Sequence, residues 1–413
     1  MSKKNDLEHT STMLGSQNMK SSQRMVSVVE PYELPEGWKW VQQNEVCKLT
    51  DGEKRTGTEF PYLEVKYLRG KKEKDFVSTG KFIKAGTKVI LVDGENSGEV
   101  FTVPEDGFMG STFKALEISN VNENYLQYFI HTKKDLYRNN KKGSAIPHLD
   151  KKLFFTMPFP LPPTLAEQQR IVNRIESMFV KLDEAKEKAQ NVVDGFETRK
   201  VAILHKAFTG ELTAKWRKEN GVSDDSWVAK RFDEVAEIKS NLVDIAEYQD
   251  FPHIAPDNIE KKTGVLLEYH TVAEDKVTSG KHRFYAGQIL YSKIRPYLSK
   301  VVIVDFDGVC SADMYPIEAK GNTKFLWYQM LSNEFLDKAS NSGSRSVLPK
   351  INQKELSVIP MQICSLPEQV EIVRILDIII EKENKAKQAA EAVLEQIDLL
   401  KKSILARAFR GEL

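Results

Sequence analysis

"TLAEQQRIVNRIESMFVKLDEAKEKAQNVVDGFETRKVAILHKAFTGEL" occupies residues 164–212, and a related stretch, "SLPEQVEIVRILDIIIEKENKAKQAAEAVLEQIDLLKKSILARAFRGEL", occupies residues 365–413. The two stretches align without a gap at an offset of 201 residues, and 18 of the 49 paired positions are identical. A match of this length indicates an internal duplication. We therefore expect the fold to contain the same long element twice.

Both copies place apolar residues at alternating steps of three and four, which is the heptad spacing of helices that interlock along a shared seam. The predicted seam comprises Ile171, Ile175, Met178, Leu182, Phe196, Arg199 and Ile203 in the first copy and Ile372, Leu376, Ile379, Glu383, Ile397, Leu400 and Ile404 in the second.

The ends of both copies carry helix boundary signals. "TLAE" at Thr164 and "SLPE" at Ser365 are capping boxes, and Gly210 and Gly411 stand where a helix ends in a left-handed residue. Each helix would be roughly 60 Å long, which exceeds one compact domain. A pair of core helices in a bundle remains an alternative, but the length favours a coiled coil between the two copies.

Each seam contains one charged residue, Arg199 or Glu383. An antiparallel pair in which residue i faces residue 582 − i would bring these two together and would place Leu182 against Leu400. Because an unpaired charge in a seam is strongly unfavourable, we predict this ion pair. A register shifted by one heptad also satisfies the apolar positions.

The duplication extends beyond the helices. "WKWVQQNEV" from Trp38 matches "WVAKRFDEV" from Trp227, and "FIKAGTKVI" from Phe82 matches "RFYAGQIL" from Arg283. Elsewhere the two segments have little sequence in common, which suggests related tasks on different targets. The predicted organisation is α+β: a disordered leader (1–30), a mixed α/β segment (31–160), a central helix (161–212), a second mixed segment (213–363) and a C-terminal helix (364–413).

Composition restricts the cellular context. With 60 Lys and Arg against 59 Asp and Glu, any basic face must be local. Cys47, Cys310 and Cys364 are odd in number and widely spaced, which argues against a disulfide framework or a zinc site. No stretch of 18 apolar residues and no secretory leader is present, so we expect a cytoplasmic protein without a membrane span.

Basic residues cluster with aromatic ones in both segments, a composition typical of nucleic-acid contact. For any single lysine, a solvated surface role is the more common alternative. Arg295 is the favoured base reader because a planar guanidinium can contact guanine twice, although a structural ion pair is nearly as common. The candidates are Lys54, Arg55, Tyr62, Lys66, Arg69, Lys114, Lys141 and Lys142 in the first segment and Lys239, Lys281, Arg283, Lys293, Arg295, Tyr297 and Arg345 in the second.

Signals for catalysis are weak. Asp51 followed by Glu64 and Lys66 resembles the spacing of metal-dependent nucleases. Other Glu-x-Lys triplets begin at 184, 237, 318 and 383, so chance is the better explanation. "DGENSG" at 93–98 lacks the glycine pattern of a phosphate-binding loop. We predict neither a catalytic nor a metal site.

The whole pattern resembles the specificity subunit of type I restriction-modification systems, from about Glu33 to Leu413. The most specific motifs are "PLPPTLAEQQRIV", "ILHKAFTGELTAKWR", "SLPEQVEIV" and "ILARAFRGEL". The resemblance implies two target-recognition domains, each reading one half of a split DNA sequence, spaced by an antiparallel coiled coil with pseudo-twofold symmetry. It also places "GSAIPHL", with Ser144 and His148, beside the DNA. In the second segment "SRSVLP" replaces the Pro-His pair, so His148 has no expected counterpart there.

The resemblance further implies a non-catalytic chain whose partners are double-stranded DNA, two methyltransferase subunits and restriction (motor nuclease) subunits. S-adenosylmethionine, ATP and Mg would belong to the partners, and this chain would bind no cofactor. Two other classes stay open at this point. A coiled-coil scaffold that joins two protein-binding domains would need no basic loops, and a DNA-cleaving enzyme would need Asp51 and Glu64.

Overall fold

The computed structural model describes residues 32–143, 147–341 and 349–413. The predicted leader and the candidates Ser144 and Arg345 lie outside these residues. The chain divides into two compact units, one containing the residues up to 183 together with 397–413, and the other containing 184–396. Each unit therefore combines one mixed segment with parts of both long helices. No helix in the described part of the chain is long and apolar enough to cross a membrane.

The described residues of the first segment form nine strands and four short α-helices. They are β1 (Lys39–Gln42), β2 (Cys47–Thr50), β3 (Glu53–Leu63), α1 (Val65–Leu68), β4 (Phe76–Ile83), β5 (Lys88–Leu91), β6 (Val100–Thr102), β7 (Gly107–Met109), β8 (Phe113–Ile118), α2 (Glu123–Thr132), α3 (Lys134–Asn139), α4 (Lys151–Phe155) and β9 (Pro158–Leu161).

These strands form three sheets. The central one is antiparallel, in the order β2-β8-β5-β6, and β1 pairs with β9 in a separate ribbon. The long β3 and β4 close a small barrel with β7, in which β3 and β7 are parallel. The β-branched run at 87–92 contains β5, which is buried along its whole length, and α2 follows the last strand of the central sheet.

The first long helix consists of α5 (Leu165–Asp194) and α6 (Phe196–Phe208), which are separated by Gly195 alone. The amide of Gly195 donates to the Asn191 carbonyl (3.0 Å), and the Arg199 amide donates to the Gly195 carbonyl (3.0 Å). Because this helical hydrogen bonding continues through the interruption, the two pieces act as one rod. At its start, the Thr164 hydroxyl accepts a hydrogen bond from the Glu167 amide (3.1 Å), as the capping box predicts.

The second segment repeats the frame of the first. Its elements are α7 (Ala214–Glu219), β10 (Val228–Arg231), α8 (Phe232–Val235), β11 (Ala236–Ile238), β12 (Leu242–Val243), β13 (Pro252–Ile254), β14 (His270–Thr271), β15 (Lys281–Phe284), β16 (Ile289–Ser292), β17 (Val301–Ile303), β18 (Gly308–Cys310), β19 (Met314–Ala319), α9 (Thr323–Met330), α10 (Asn333–Asn341), α11 (Gln353–Ser357) and β20 (Pro360–Ile363). The second long helix, α12, is unbroken over Leu366–Phe409.

The central sheet and the ribbon correspond strand by strand in the two segments. The central sheet β11-β19-β16-β17 repeats β2-β8-β5-β6, and the ribbon β10-β20 repeats β1-β9. The parallel pair of β13 with β18 repeats that of β3 with β7, within a five-stranded sheet instead of a closed barrel. The two segments therefore share one frame, the central sheet and the ribbon, although few of their residues are identical. They differ in the strands and loops attached to this frame.

The long helices run antiparallel within each unit. In the first unit, Arg170 Nη2 donates to the Leu413 carbonyl (2.9 Å). In the second unit, Arg199 Nε donates to Glu383 Oε2 (2.7 Å). This is the ion pair predicted from the one charged residue in each seam. Both contacts agree, within one residue, with the predicted register in which residue i faces residue 582 − i.

The ends of the helices belong to the segment cores. Ile171 and Ile175 join Leu405 and Phe409 in the apolar core of the first segment, and Leu204, Ile372 and Leu376 join that of the second. Much of the predicted seam is therefore buried, and it is buried against sheet and short-helix residues as well as against the partner helix.

The predicted seam is wrong at Leu400, whose side chain is 48% exposed. At this level Lys401 instead lies over the Phe179 ring (5.0 Å) and pairs with Asp183 (2.5 Å), and Leu405 is buried. An α-helix has 3.6 residues per turn, so a strict heptad pattern drifts by about 20° per repeat. Where the helices also pack on a segment core, the buried face follows the helical repeat and leaves Leu400 outside.

Candidate nucleic-acid interface

One loop recurs in both segments after the third strand of the central sheet. The first tip loop comprises residues 93–98, between β5 and β6, and the second comprises residues 294–299, between β16 and β17. In the first, the Gly94 amide donates to the Pro147 carbonyl (2.7 Å), and in the second the Arg295 amide donates to the Pro349 carbonyl (2.8 Å). Each tip loop is thus fixed to a Pro-containing loop, which precedes α4 in the first segment and α11 in the second.

The tip loops share an unusual backbone. Gly94 and Gly98 have φ of 102° and 95°, and the corresponding Arg295 and Ser299 have φ of 47° and 46°. Glycine adopts the left-handed region without strain, whereas a residue with a Cβ atom pays about 1–2 kcal/mol there. The second segment therefore keeps two side chains at positions where the backbone favours none.

Each tip loop is flanked by a basic side chain that contacts a carboxylate. His148 Nδ1 lies 2.7 Å from Asp93 Oδ1, and Lys350 Nζ lies 3.2 Å from Asp313 Oδ1. Backbone bridges pair Asp93 with His148 and Ile294 with Lys350, so Lys350 occupies the position equivalent to His148. The expectation that His148 lacks a counterpart is wrong. "PHL" at 147–149 corresponds to "PKI" at 349–351, a signal that was present in the sequence.

Most predicted cations of the first segment are bound to carboxylates. Lys114 and Lys81 both pair with Asp51, and these two ammonium groups hold the pKa of that carboxyl at about 2. The remaining pairs are Arg55 with Glu53 (2.5 Å), Arg69 with Glu99, Lys141 with Glu95 (2.5 Å) and Lys142 with Asp150 (3.0 Å). Positive and negative side chains are therefore nearly balanced around these candidate residues, as they are in the whole sequence.

Three candidates of this segment are placed differently. Lys54 on β3 and Lys66 on α1 are exposed, and neither side chain has a hydrogen-bond or ion-pair partner among the residues that the structure describes. The Tyr62 hydroxyl accepts a hydrogen bond from the Ser111 amide (3.3 Å). Lys54 and Lys66 are thus available for contacts to a phosphate backbone.

The carboxylates of the nuclease hypothesis are occupied. Asp51 is held by its two lysines, and Glu64 pairs with Lys72 (2.7 Å). Over the described ranges, no group of three His, Cys, Asp or Glu residues is arranged to hold a metal ion. The weak spacing signal at Asp51 and Glu64 therefore gains no support from the structure.

Several candidates of the second segment are engaged in structural contacts. Lys281 is buried, its ammonium donates to the Ser279 hydroxyl (2.7 Å), and burial lowers its pKa. Lys281 is therefore wrong as a DNA-contacting candidate. The Lys293 ammonium donates to the Ala312 carbonyl (2.6 Å). The other engaged cations are Lys239, paired with Glu237 and Glu318, and Arg283, which packs over Tyr248 and Tyr285.

The second tip loop presents the exceptions. Arg295 is exposed, and Tyr297 is 47% exposed. Of the predicted cations in this segment that lie in the described ranges, Arg295 is the one whose side chain has no hydrogen bond or ion pair. The loop therefore projects a planar cation and an aromatic ring from a constrained backbone, a combination suited to contacting bases.

Comparison with known proteins identifies the family. The model of the type I restriction modification DNA specificity domain matches twice, at residues 35–193 and 224–396. The chain is 34% identical to the EcoDI specificity subunit of Escherichia coli over 403 residues, covering 92% of this chain and 89% of the relative. It is 30% identical to the MjaVIII specificity subunit of Methanocaldococcus jannaschii over 228 residues, about half of each chain (50% and 51%).

Solved structures share the fold. A chain of a type I R-M system superimposes with a TM-score of 0.69 at 18% identity, covering 93% of this chain and all of the other. The HsdS subunit from Thermoanaerobacter tengcongensis gives a TM-score of 0.61 at 19% identity, with 93% and 99% covered. The duplicated frame, the antiparallel helices and the two family matches lead to one conclusion: this chain belongs to the family of type I restriction-modification DNA specificity subunits.

Proposed function

We propose that each segment reads one half of a split DNA target through its tip loop and neighbouring residues, and that the paired long helices set the separation of the two half-sites. The observation that carries this proposal is the repetition of one frame with unlike tip loops, "DGENSG" in one segment and "IRPYLS" in the other. Because the two segments share one frame, we expect them to dock on DNA in the same way. Because their tip loops carry different side chains, we expect them to read different base sequences.

The helices have a suitable length for a spacer. The second one has 44 residues, which corresponds to about 66 Å. Two turns of B-DNA extend over about 70 Å. When two readers are joined by a rigid spacer, binding of one raises the effective concentration of the other only at half-sites with the matching gap.

We assign catalysis to partner proteins. The carboxylates of the nuclease-like spacing, Asp51 and Glu64, serve in lysine ion pairs. Two methyltransferase subunits, one for each repeat of the frame, and restriction subunits would supply the chemistry. S-adenosylmethionine, ATP and Mg would be bound by those subunits. The three buried free thiols, Cys47, Cys310 and Cys364, support a cytoplasmic location.

Charge pairing suggests that this chain binds DNA weakly without its partners. Most candidate cations are neutralised by carboxylates, so few counterions would be released from DNA on binding. The partner subunits would supply much of the phosphate contact, and this chain would supply the sequence discrimination.

The test is DNA binding by the chain with and without a co-expressed type I methyltransferase subunit. We expect weak binding of mixed-sequence duplex by the chain alone, tight binding by the assembly and a steeper salt dependence for the assembly. A Lys54→Ala, Lys66→Ala variant should weaken binding to all sequences equally. Failure of the assembly to prefer any duplex in a mixed pool would contradict the proposal.

A further inference from the structure

We propose that Arg295 is the specificity-determining residue of the second segment and that it contacts the major-groove edge of a guanine in one half-site. This inference rests on the proposed function and deepens it. It starts from a comparison that the duplication provides. The two tip loops have positive φ at the same two positions, which are glycines in the first loop and Arg295 and Ser299 in the second.

The two strained residues of the second tip loop differ in exposure. Ser299 is 2% exposed, and its hydroxyl is buried without a hydrogen-bond partner. Arg295 is exposed, and its guanidinium is unpaired among the described residues. A left-handed arginine is unfavourable, and its side chain makes no compensating hydrogen bond or ion pair within the described chain. Strain of this kind is typical of positions that bind a ligand.

The loop around Arg295 is held in place by the spacer helix of the same unit. The Lys262 amide donates to the carbonyls of Leu298 (3.1 Å) and Ser299 (3.2 Å). The ammonium of Lys200, a buried residue of α6, donates to the Lys262 carbonyl (2.7 Å). This chain of hydrogen bonds links the long helix to the tip loop, so the loop is ordered before DNA arrives.

A constrained loop favours a base over a phosphate as the target. Phosphate contacts tolerate any flexible cation, as Lys54 and Lys66 illustrate in the first segment. A bidentate contact to guanine O6 and N7 requires a planar fork at a fixed position. The left-handed backbone and the buried Pro296 that follows provide that fixation.

The experiment maps methylated adenines in cells that carry the complete methylating complex with wild-type chain, Arg295→Gly, Arg295→Lys or Lys276→Gly. Lys276 is an exposed residue of the same segment with a φ of 50°, and it lies outside the tip loop. Wild type should give a bipartite motif. Arg295→Gly should make one G·C pair of one half-site degenerate, with a roughly 10- to 100-fold loss of discrimination there, and leave the other half-site unchanged. Arg295→Lys, which keeps the charge, should relax the same pair.

Thermal unfolding of the purified chains provides the matched control. Both glycine variants remove strain and should raise Tm by about 2–5 °C, but Lys276→Gly should leave the motif intact. An unchanged motif with Arg295→Gly, or uniformly reduced methylation at every site, would overturn the inference. If Arg295→Gly abolishes methylation, the Arg295→Lys variant provides the test. Relaxed specificity at one G·C pair in this variant would support the inference, and an intact motif would overturn it. Absence of any bipartite motif with the wild-type chain would overturn the proposed function as well.

Discussion

A buried cluster joins the two long helices at one end and offers a quantitative test of how firmly they are held. Glu368, near the start of α12, is fully buried. Its Oε1 accepts hydrogen bonds from Arg217 Nη1 (2.8 Å), the Thr213 hydroxyl (2.7 Å) and Trp227 Nε1 (3.1 Å). Arg217 also donates to the carbonyl of Gly210, where the first long helix has ended (2.7 Å).

Replacing Arg217 by Met should destabilise the unit that contains this cluster by about 3–5 kcal/mol, because the Glu368 carboxylate would remain buried without its cation. The double variant Arg217→Met, Glu368→Leu removes both charges and should recover most of that loss. Arg374→Met is the matched control on the same helix. Its partner, Glu371, lies at 2.7 Å, but Arg374 is 59% exposed, so the cost should be about 0–1 kcal/mol.

The assay is urea unfolding followed by far-UV circular dichroism and by tryptophan fluorescence, since Trp227 donates directly to Glu368. Free energies come from linear extrapolation, and equal slopes across the variants are required for the comparison. An Arg217→Met variant that loses no more stability than Arg374→Met would refute the reasoning. It would mean that the carboxylate finds another partner or water.

Three further predictions concern the spacer and its junctions. In a double-mutant cycle by urea unfolding, Arg199→Ala and Glu383→Ala should show a coupling of about 0.5–1 kcal/mol, as expected for a partly exposed pair, and no coupling would contradict the 2.7 Å contact. Gln168→Leu and Gln369→Leu should each lower the free energy of unfolding by about 1–2 kcal/mol. The reason is that each glutamine accepts a hydrogen bond from the amide of an N-cap residue, Asn122 of α2 or Asn322 of α9. Clearly unequal losses in thermal or urea unfolding would argue that the two contacts between a long helix and its segment are not equivalent. Removing one matched heptad from each long helix shortens the spacer by about 10 Å, and adenine mapping should then show a gap shorter by about three base pairs or lost methylation, whereas an unchanged gap would exclude the helices as the spacer.

The duplication made much of the fold predictable. The two long helices could be predicted from two observations: the sequence match at an offset of 201 residues, and the apolar residues at alternating steps of three and four. The ion pair of Arg199 with Glu383 could be predicted because each seam carries one charge and an unpaired charge in a seam is strongly unfavourable. The shared topology of the segments was hidden, because a sheet needs only an apolar pattern and turns, and many sequences supply both.

The remaining features depend on contacts between residues far apart in the sequence. Glu368 looked like the second half of a capping box, yet it is bound by Arg217, more than a hundred residues earlier. Lys281 looked like a surface cation, but β15 places it in the interior. The left-handed backbone of Arg295 is held by a hydrogen bond to the distant Pro349, and it has no local sequence signal.

The central claim is that one chain reads two separated half-sites with two copies of one frame. Its most direct test is genome-wide mapping of methylated adenines in cells with and without this chain, in the presence of the methyltransferase subunit. The account predicts a chain-dependent motif made of two specific parts separated by a gap of fixed length in which any base is accepted. A single continuous motif, or methylation that does not depend on the chain, would contradict it.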